Sequence, residues 1–277
     1  MKFKATVMSE NSVFSNLGAI AEHGWAVFLE TEQGNFLFDT GQGKVLTNNA
    51  RIFNKDLSSV KGIILSHHHV DHTGGLLDAV KSAAHKPVDV YAHPGLFNEG
   101  YLARSGYKYI GVPFCRAALE TAGANFNLSP DFREIAPDIY LTGEVPRLTD
   151  FEYGDDDVLL KTPEGFVKDA VMDDQSLIIK TTRGLVIILG CAHAGIINIL
   201  HYALQKTGEP RIHAVIGGTH LWSVGKEQQD KSIEALADMS IDRLGVSHCT
   251  GFNMSMRLAQ IFGERFFNCS VGTVIEV

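Results

Sequence analysis

Gly62-Ile63-Ile64-Leu65-Ser66-His67-His68-His69-Val70-Asp71-His72-Thr73-Gly74-Gly75 is the stretch on which the reading of this chain turns. A short apolar run, the pattern of a buried strand, leads directly into four histidines within six residues. In extended backbone, side chains two apart point the same way, so His67 and His69 converge on one ion. His68 lies between them and faces away, towards a second layer of contacts or towards solvent. Asp71 and His72 fall where the chain turns into a helix, and Asp71 there suits either a helix cap or a second ion. Four nitrogen or oxygen donors this close are too many for one tetrahedral ion with an open position. Two adjacent ions, each completed from elsewhere, accommodate them. The plain alternative, a solvated surface cluster with a cap, fits poorly because it sets many costly polar groups beside apolar sequence.

Working outward, strands and hairpins alternate with helices. Lys2 to Met8 alternates as a first strand. Trp25 to Glu30 and Asn35 to Phe38 flank Glu32-Gln33-Gly34 as a hairpin that ends at Asp39-Thr40-Gly41. Val88 to Ala92 is a strand ending at His93-Pro94-Gly95. The segment of about 91–171 is less regular and reads as a loop-rich lid insertion. Its eight aromatics (Tyr101, Tyr107, Tyr109, Phe114, Phe126, Phe132, Phe151 and Phe166) suit a flat-ring ligand and loop packing equally. Ser176 to Thr181 and Leu185 to Leu189 form a second hairpin. Gly195 to Lys206 is a helix stopped by Gly208, and strands and helices alternate from His213 to Val277. This order predicts an α/β fold, and with no repeat or composition break residues 1–277 read as a single domain.

Composition narrows the function classes. The 277 residues carry 24 Lys and Arg against 32 Asp and Glu, a net charge of −8, so no basic face is available for a nucleic-acid partner. A small anionic substrate held by a few local cations remains compatible. No apolar run is long enough to span a membrane, and the N-terminus lacks a secretory apolar core. The dispersed Cys115, Cys191, Cys249 and Cys269 read as reduced thiols, which predicts a cytoplasmic protein.

The histidine run, together with Asp39 in Leu37-Phe38-Asp39-Thr40-Gly41 and His248 in Ser247-His248-Cys249-Thr250-Gly251, resembles the metallo-β-lactamase superfamily over nearly the whole chain. Gly190-Cys191-Ala192-His193-Ala194-Gly195, Gly217-Gly218-Thr219-His220-Leu221 and Leu141-Thr142-Gly143-Glu144-Val145-Pro146-Arg147 are similar to one branch of it. That branch is named for dihydropterin ribofuranosylaminobenzene phosphate synthase. The resemblance implies a four-layer αββα sandwich with a dinuclear site at one sheet edge. It implies that His67 and His69 bind a first metal, that Asp71 and His72 bind a second, and that His248 completes the second. Asp39 matches an aspartate that orients a ligand.

The middle of the chain departs from the common pattern. Asp173-Asp174 stands where many members have a histidine, and Cys191 where many have a bridging aspartate. His193 is therefore expected to supply the missing ligand. Asp174 suits either a ligand or a supporting role, and Cys191 either a thiolate ligand or a small buried residue. His220 is a candidate for substrate binding, proton donation or ligation, against the alternative of a satisfied core histidine. His23, His85, His201 and His213 read as structural or surface residues. Arg147 and Lys108 are candidate contacts to a substrate phosphate or carboxylate.

The implied chemistry is that of a metal-dependent hydrolase, in which two divalent ions activate water against a small ester or phosphoester, including one with an aromatic or pterin-like ring. Asp71 and His220 are its catalytic candidates. Zinc suits the histidine-rich donors first, with iron, manganese and nickel as alternatives. The branch name implies a metal-assisted condensation of a dihydropterin with a ribosylated aminobenzoate, and a catalytically silent small-molecule-binding module is the third reading. Redox chemistry ranks last, since the chain lacks the length for a flavin domain.

Overall fold

A computed structural model describes residues 1–14 and 17–277, and the chain divides into two units. Lys2–Pro130, Asp156–Asp169 and Ser270–Val277 form the N-terminal unit. Met1, Asp131–Asp155 and Ala170–Cys269 form the C-terminal unit.

The main sheet of the N-terminal unit runs Val274–Glu276, Phe3–Ser9, Ala26–Thr31, Gly34–Phe38, Val60–Ile64, Val88–Ala92, Ala124–Leu128. Its first four strands pair antiparallel. The hairpin turn is closed by Thr31, whose Oγ1 accepts from Gln33 N and donates to Gly34 O. Gly34 to Leu128 then continues in parallel pairings. Parallel strands are covered on both faces, which is why Ile63, Ile64 and Leu65 are all buried. Leu76, Ala79 and Val80 of the helix Leu76–Ser82 share one apolar cluster with Leu37, Ile63 and Leu65. Parallel strands also share one carboxyl edge, and Asp39, Ser66–His72 and His93 all follow strands there.

The C-terminal unit repeats the arrangement. Its sheet runs Phe266–Asn268, Ile241–Ser247, Ile212–Gly218, Gly184–Ile188, Leu177–Thr181, Ile139–Leu141, Arg133–Ala136. The first four strands are parallel and the remainder antiparallel. Apolar residues of the helix Ile196–Thr207 recur at Ile196, Ile197, Leu200 and Ala203 and bury in the same cluster as Ile187, Val215 and Leu244. Leu200 is fully buried there, and its truncation to Ala costs about 2–5 kcal/mol. Gly208, in the left-handed conformation, ends that helix as expected.

The segment of about 91–171 is more regular than its sequence suggests. Ala124–Leu128 joins the N-terminal sheet, and Arg133–Ala136 and Ile139–Leu141 join the C-terminal one. Gly165–Lys168, Val158–Thr162, Gly100–Leu102 and Lys108–Tyr109 form a separate four-stranded sheet. These strands have two to five residues each, too few for a period to show. Four of the eight aromatics pack on one another at this small sheet: Tyr101 meets Tyr109 and Phe166, and Phe166 meets Tyr107. Among the described residues no helix is long and apolar enough to cross a membrane, and all four cysteines are free thiols.

Candidate metal centre

In the N-terminal unit, the fully buried carboxylate of Asp39 organises the histidine run. Its Oδ1 accepts Ser66 N at 2.7 Å, and its Oδ2 accepts Ser66 Oγ at 2.7 Å and His72 Nδ1 at 2.6 Å. An ionised carboxylate only accepts, so His72 carries its proton on Nδ1 and directs the lone pair of Nε2 away from Asp39. Ser66 Oγ gives its one proton to Asp39. It therefore accepts from His67 Nδ1, 2.9 Å away, and the lone pair of His67 also sits on Nε2. That Nε2 lies 3.0 Å from His69 Nδ1. Two nitrogens bound to one tetrahedral ion at about 2.0–2.1 Å stand roughly 3.3 Å apart, so the spacing and the tautomers both fit a metal.

Asp71 lies inside the turn Val70–Thr73, whose cap position is His69, and no side chain caps it. The capping alternative for Asp71 is thereby removed. Its Oδ2 instead lies 3.2 Å from His23 Nε2 and 3.9 Å from His72 Nε2. His23, read from sequence as structural or surface, is thus a neighbour of the run; nothing in local pattern signals a partner 48 positions away. His68 does not face solvent. It is buried, with Nε2 3.5 Å from Asp169 Oδ2 and its ring against Gly100, where a Cβ would come within 2.5 Å of Nε2. Lys108 is exposed on the small sheet.

In the C-terminal unit, three neighbouring parallel strands deliver the other candidates. Cys191 and His193 follow Gly184–Ile188, His220 follows Ile212–Gly218, and His248 follows Ile241–Ser247. All but His220 are buried below a tenth of their surface, and the His220 side chain is 12% exposed. The His193 and His220 rings lie 4.1 Å apart. His220 faces Asp155 at 3.6 Å, an ion pair rather than a short hydrogen bond. Burial works against charge on His220, but Asp155 and Cys249 outweigh it and raise the imidazole to about 9. Asp174 Oδ2 accepts Ala194 N at 3.0 Å and so holds the loop that carries His193. Burial raises the Asp174 carboxyl to about 6, against the pull of the Ala194 amide and Arg147. Arg147 directs Nη2 to the carbonyls of Ala170 and Val171, bracing the turn that precedes Asp174.

Asp39, Ala192, His220 and His248 all have positive φ, at 56, 57, 54 and 50°. Each sits in the loop after a strand, and such strain persists where a site over-determines the backbone. Sequence pattern does not reveal it, since none of these residues is glycine.

The family model for the metallo-beta-lactamase superfamily matches residues 20–206. The chain belongs to the metallo-beta-lactamase superfamily. A curated relative from Methanocaldococcus jannaschii, 7,8-dihydropterin-6-methyl-4-(beta-D-ribofuranosyl)-aminobenzene-5'-phosphate synthase, is 30% identical over 99% of this chain and 96% of its own. An uncharacterized protein of the same organism is 30% identical over 98% of this chain and 99% of its own. Among solved structures, a metal-dependent hydrolase of the beta-lactamase superfamily superposes with a TM-score of 0.81 at 28% identity, covering 99% of both chains. Zinc-bound PqqB from Methylobacterium extorquens shares the fold, with a TM-score of 0.57 at 11% identity over 99% of this chain and all of its own. The fold class read from the sequence is therefore that of the metallo-beta-lactamase superfamily.

Proposed function

We propose that this superfamily member is a metal-dependent hydrolase of a small ester or phosphoester. The observation that carries the reading is the chain of hydrogen bonds from Asp39 through Ser66 that turns the Nε2 lone pairs of His67 and His72 outward. Histidines that serve only packing have no need of matched tautomers. His67, His69, Asp71 and His72 of the N-terminal unit would hold divalent metal, zinc first, and His193 and His248 are the candidate ligands of the C-terminal unit. When bound, such ions supply Lewis acidity to a substrate oxygen and acidify water near neutral pH.

The chain's own groups supply the rest. Asp39 and Ser66 keep two imidazoles in one tautomer. Asp174 holds the His193 loop by its backbone. In the N-terminal unit Asp71 is the candidate base towards water, and in the C-terminal unit His220, kept protonated by Asp155, is the candidate acid towards a departing group. Arg147 and Lys108 remain the candidates for an anionic substituent of the substrate. The resemblance to the synthase over the full chain favours a second reading, a condensation that joins a dihydropterin to a ribofuranosylaminobenzene phosphate.

The deciding experiment offers the protein, stripped by chelator and then reloaded with zinc or manganese, a panel of nitrophenyl esters, lactones and phosphodiesters. A parallel reaction contains the dihydropterin and ribosylated aminobenzoate pair. Hydrolysis that chelation abolishes and metal restores supports the first reading. Condensation product by mass spectrometry without hydrolysis replaces it with the second. Absence of both, with a small molecule retained in native mass spectra, refutes both in favour of a binding module.

A further inference from the structure

One residue, Cys191, belongs to two donor groups of the C-terminal unit. The donor atoms of Cys191, His193 and His220 all lie within 4.8 Å of one another, and so do those of Cys191, His248 and Cys249. The Cys191 sulfur is therefore close to three imidazoles and a second thiol, in a buried position. The backbone holds it there. Leu189 N donates to Ile216 O at 2.8 Å and Gly218 N to Gly190 O at 3.1 Å, which fixes the strand end. Ala192, at φ 57°, then turns the chain so that Cys191 and His193 both belong to one group.

The Cys249 Sγ also sits against backbone, 3.4 Å from Cys191 O and 3.3 Å from His220 N. A Zn–S bond of about 2.3 Å and a Zn–N bond of about 2.1 Å set sulfur and nitrogen roughly 3.6 Å apart on a tetrahedral ion. Donors within 4.8 Å of one another reach that spacing by drawing in by about 1.2 Å or less.

We propose that Cys191 is a metal ligand, a thiolate donor grouped with His193 on one side and with His248 on the other. The inference rests on the metal-dependent reading above and deepens it. Binding exchanges the thiol proton for a metal–sulfur bond, and the proton leaves to solvent. A sulfur donor makes the centre soft, which favours zinc over magnesium or manganese.

The test is cobalt(II) loading of the whole, chelator-stripped protein, read by its absorption spectrum. A thiolate-to-cobalt charge-transfer band in the near ultraviolet is expected in the parent protein. It should survive Cys115→Ser and Cys249→Ser and vanish in Cys191→Ser. Cobalt uptake with ligand-field bands but no charge-transfer band overturns the inference and leaves the metal-dependent reading standing. A band that persists in Cys191→Ser, or that disappears only in Cys249→Ser, also overturns it. No cobalt uptake at all overturns both. Should Cys191→Ser fail to fold by circular dichroism, zinc-edge X-ray absorption of the parent protein decides instead. A sulfur shell at about 2.3 Å in both the parent protein and Cys249→Ser supports the assignment, and a shell of nitrogen and oxygen alone, or one lost in Cys249→Ser, refutes it.

Discussion

Replacing Asp39 with asparagine alters hydrogen-bonding roles while leaving volume and backbone almost untouched. Asp39 has φ 56°, a conformation that Asn tolerates as well as Asp does. The variant keeps an oxygen for Ser66 N but sets an NH2 group where Oδ2 now accepts from Ser66 Oγ and His72 Nδ1. Donor would face donor at both contacts. His72 relieves one by moving its proton to Nε2. Ser66 relieves the other by accepting from the amide and donating towards Nδ1 of His67, which drives that proton to Nε2 as well. Both outward nitrogens then lose their lone pairs. Removing a partner behind one metal-bound histidine typically costs 10–100-fold in affinity, and two histidines are affected here. The expected loss is about 100-fold, or about 2.7 kcal/mol. The stripped protein should change by only about 1–2 kcal/mol, because weaker hydrogen bonds are offset by the relief of a buried charge. Competition with a chromophoric chelator measures the first quantity, and urea melts of stripped protein measure the second. Zinc affinity within threefold of the parent protein would refute the tautomer argument.

Three further outcomes are expected. Burial moves the Asp174 carboxyl from 3.8 to about 6, so its ionised form opposes folding above that range and the penalty disappears as protonation completes below about 4. Asp174→Asn should make the stripped protein more stable at pH 7.5 by about 3 kcal/mol, with the gain gone at pH 4; urea melts showing a pH-independent gap would contradict this. Gly195→Ala should cost about 3–5 kcal/mol, since Gly195 has φ 93° and a Cβ would sit 2.3 Å from the Glu152 carboxylate that accepts Ile197 N and Asn198 N at 3.0 Å. An unchanged thermal midpoint would remove Glu152 as the anchor of that helix. His193→Ala should lose about one equivalent of metal by elemental analysis, and full occupancy would show that His193 is not a ligand.

The long elements were legible because their signals are local. The strand Val88–Ala92 falls where the apolar run predicts it, and the helix expected at Gly195–Lys206 occupies Ile196–Thr207. The short strands between 91 and 171 were not legible, because a three-residue strand such as Ile139–Leu141 is specified by its neighbours in the sheet. His68 shows the same limit at the site. Period two places it opposite His67 and His69, but what lies on that side is Asp169, about a hundred residues away.

By itself the sequence determined the fold family and named the central candidate donors. His67, His69, Asp71 and His72 follow one strand, and their spacing is fixed by backbone geometry within a few residues. Only the tertiary structure decided how the candidate residues are held: Asp39 on Ser66 and His72 in the N-terminal unit, and Asp174 on Ala194 and Asp155 beside His220 in the C-terminal unit. Such contacts join residues tens of positions apart. The Asp39 contacts exist because parallel strands bring their carboxyl ends to one edge, and the Asp174 contact because an antiparallel pair sets the start of one strand beside the end of the next, arrangements that no local periodicity records.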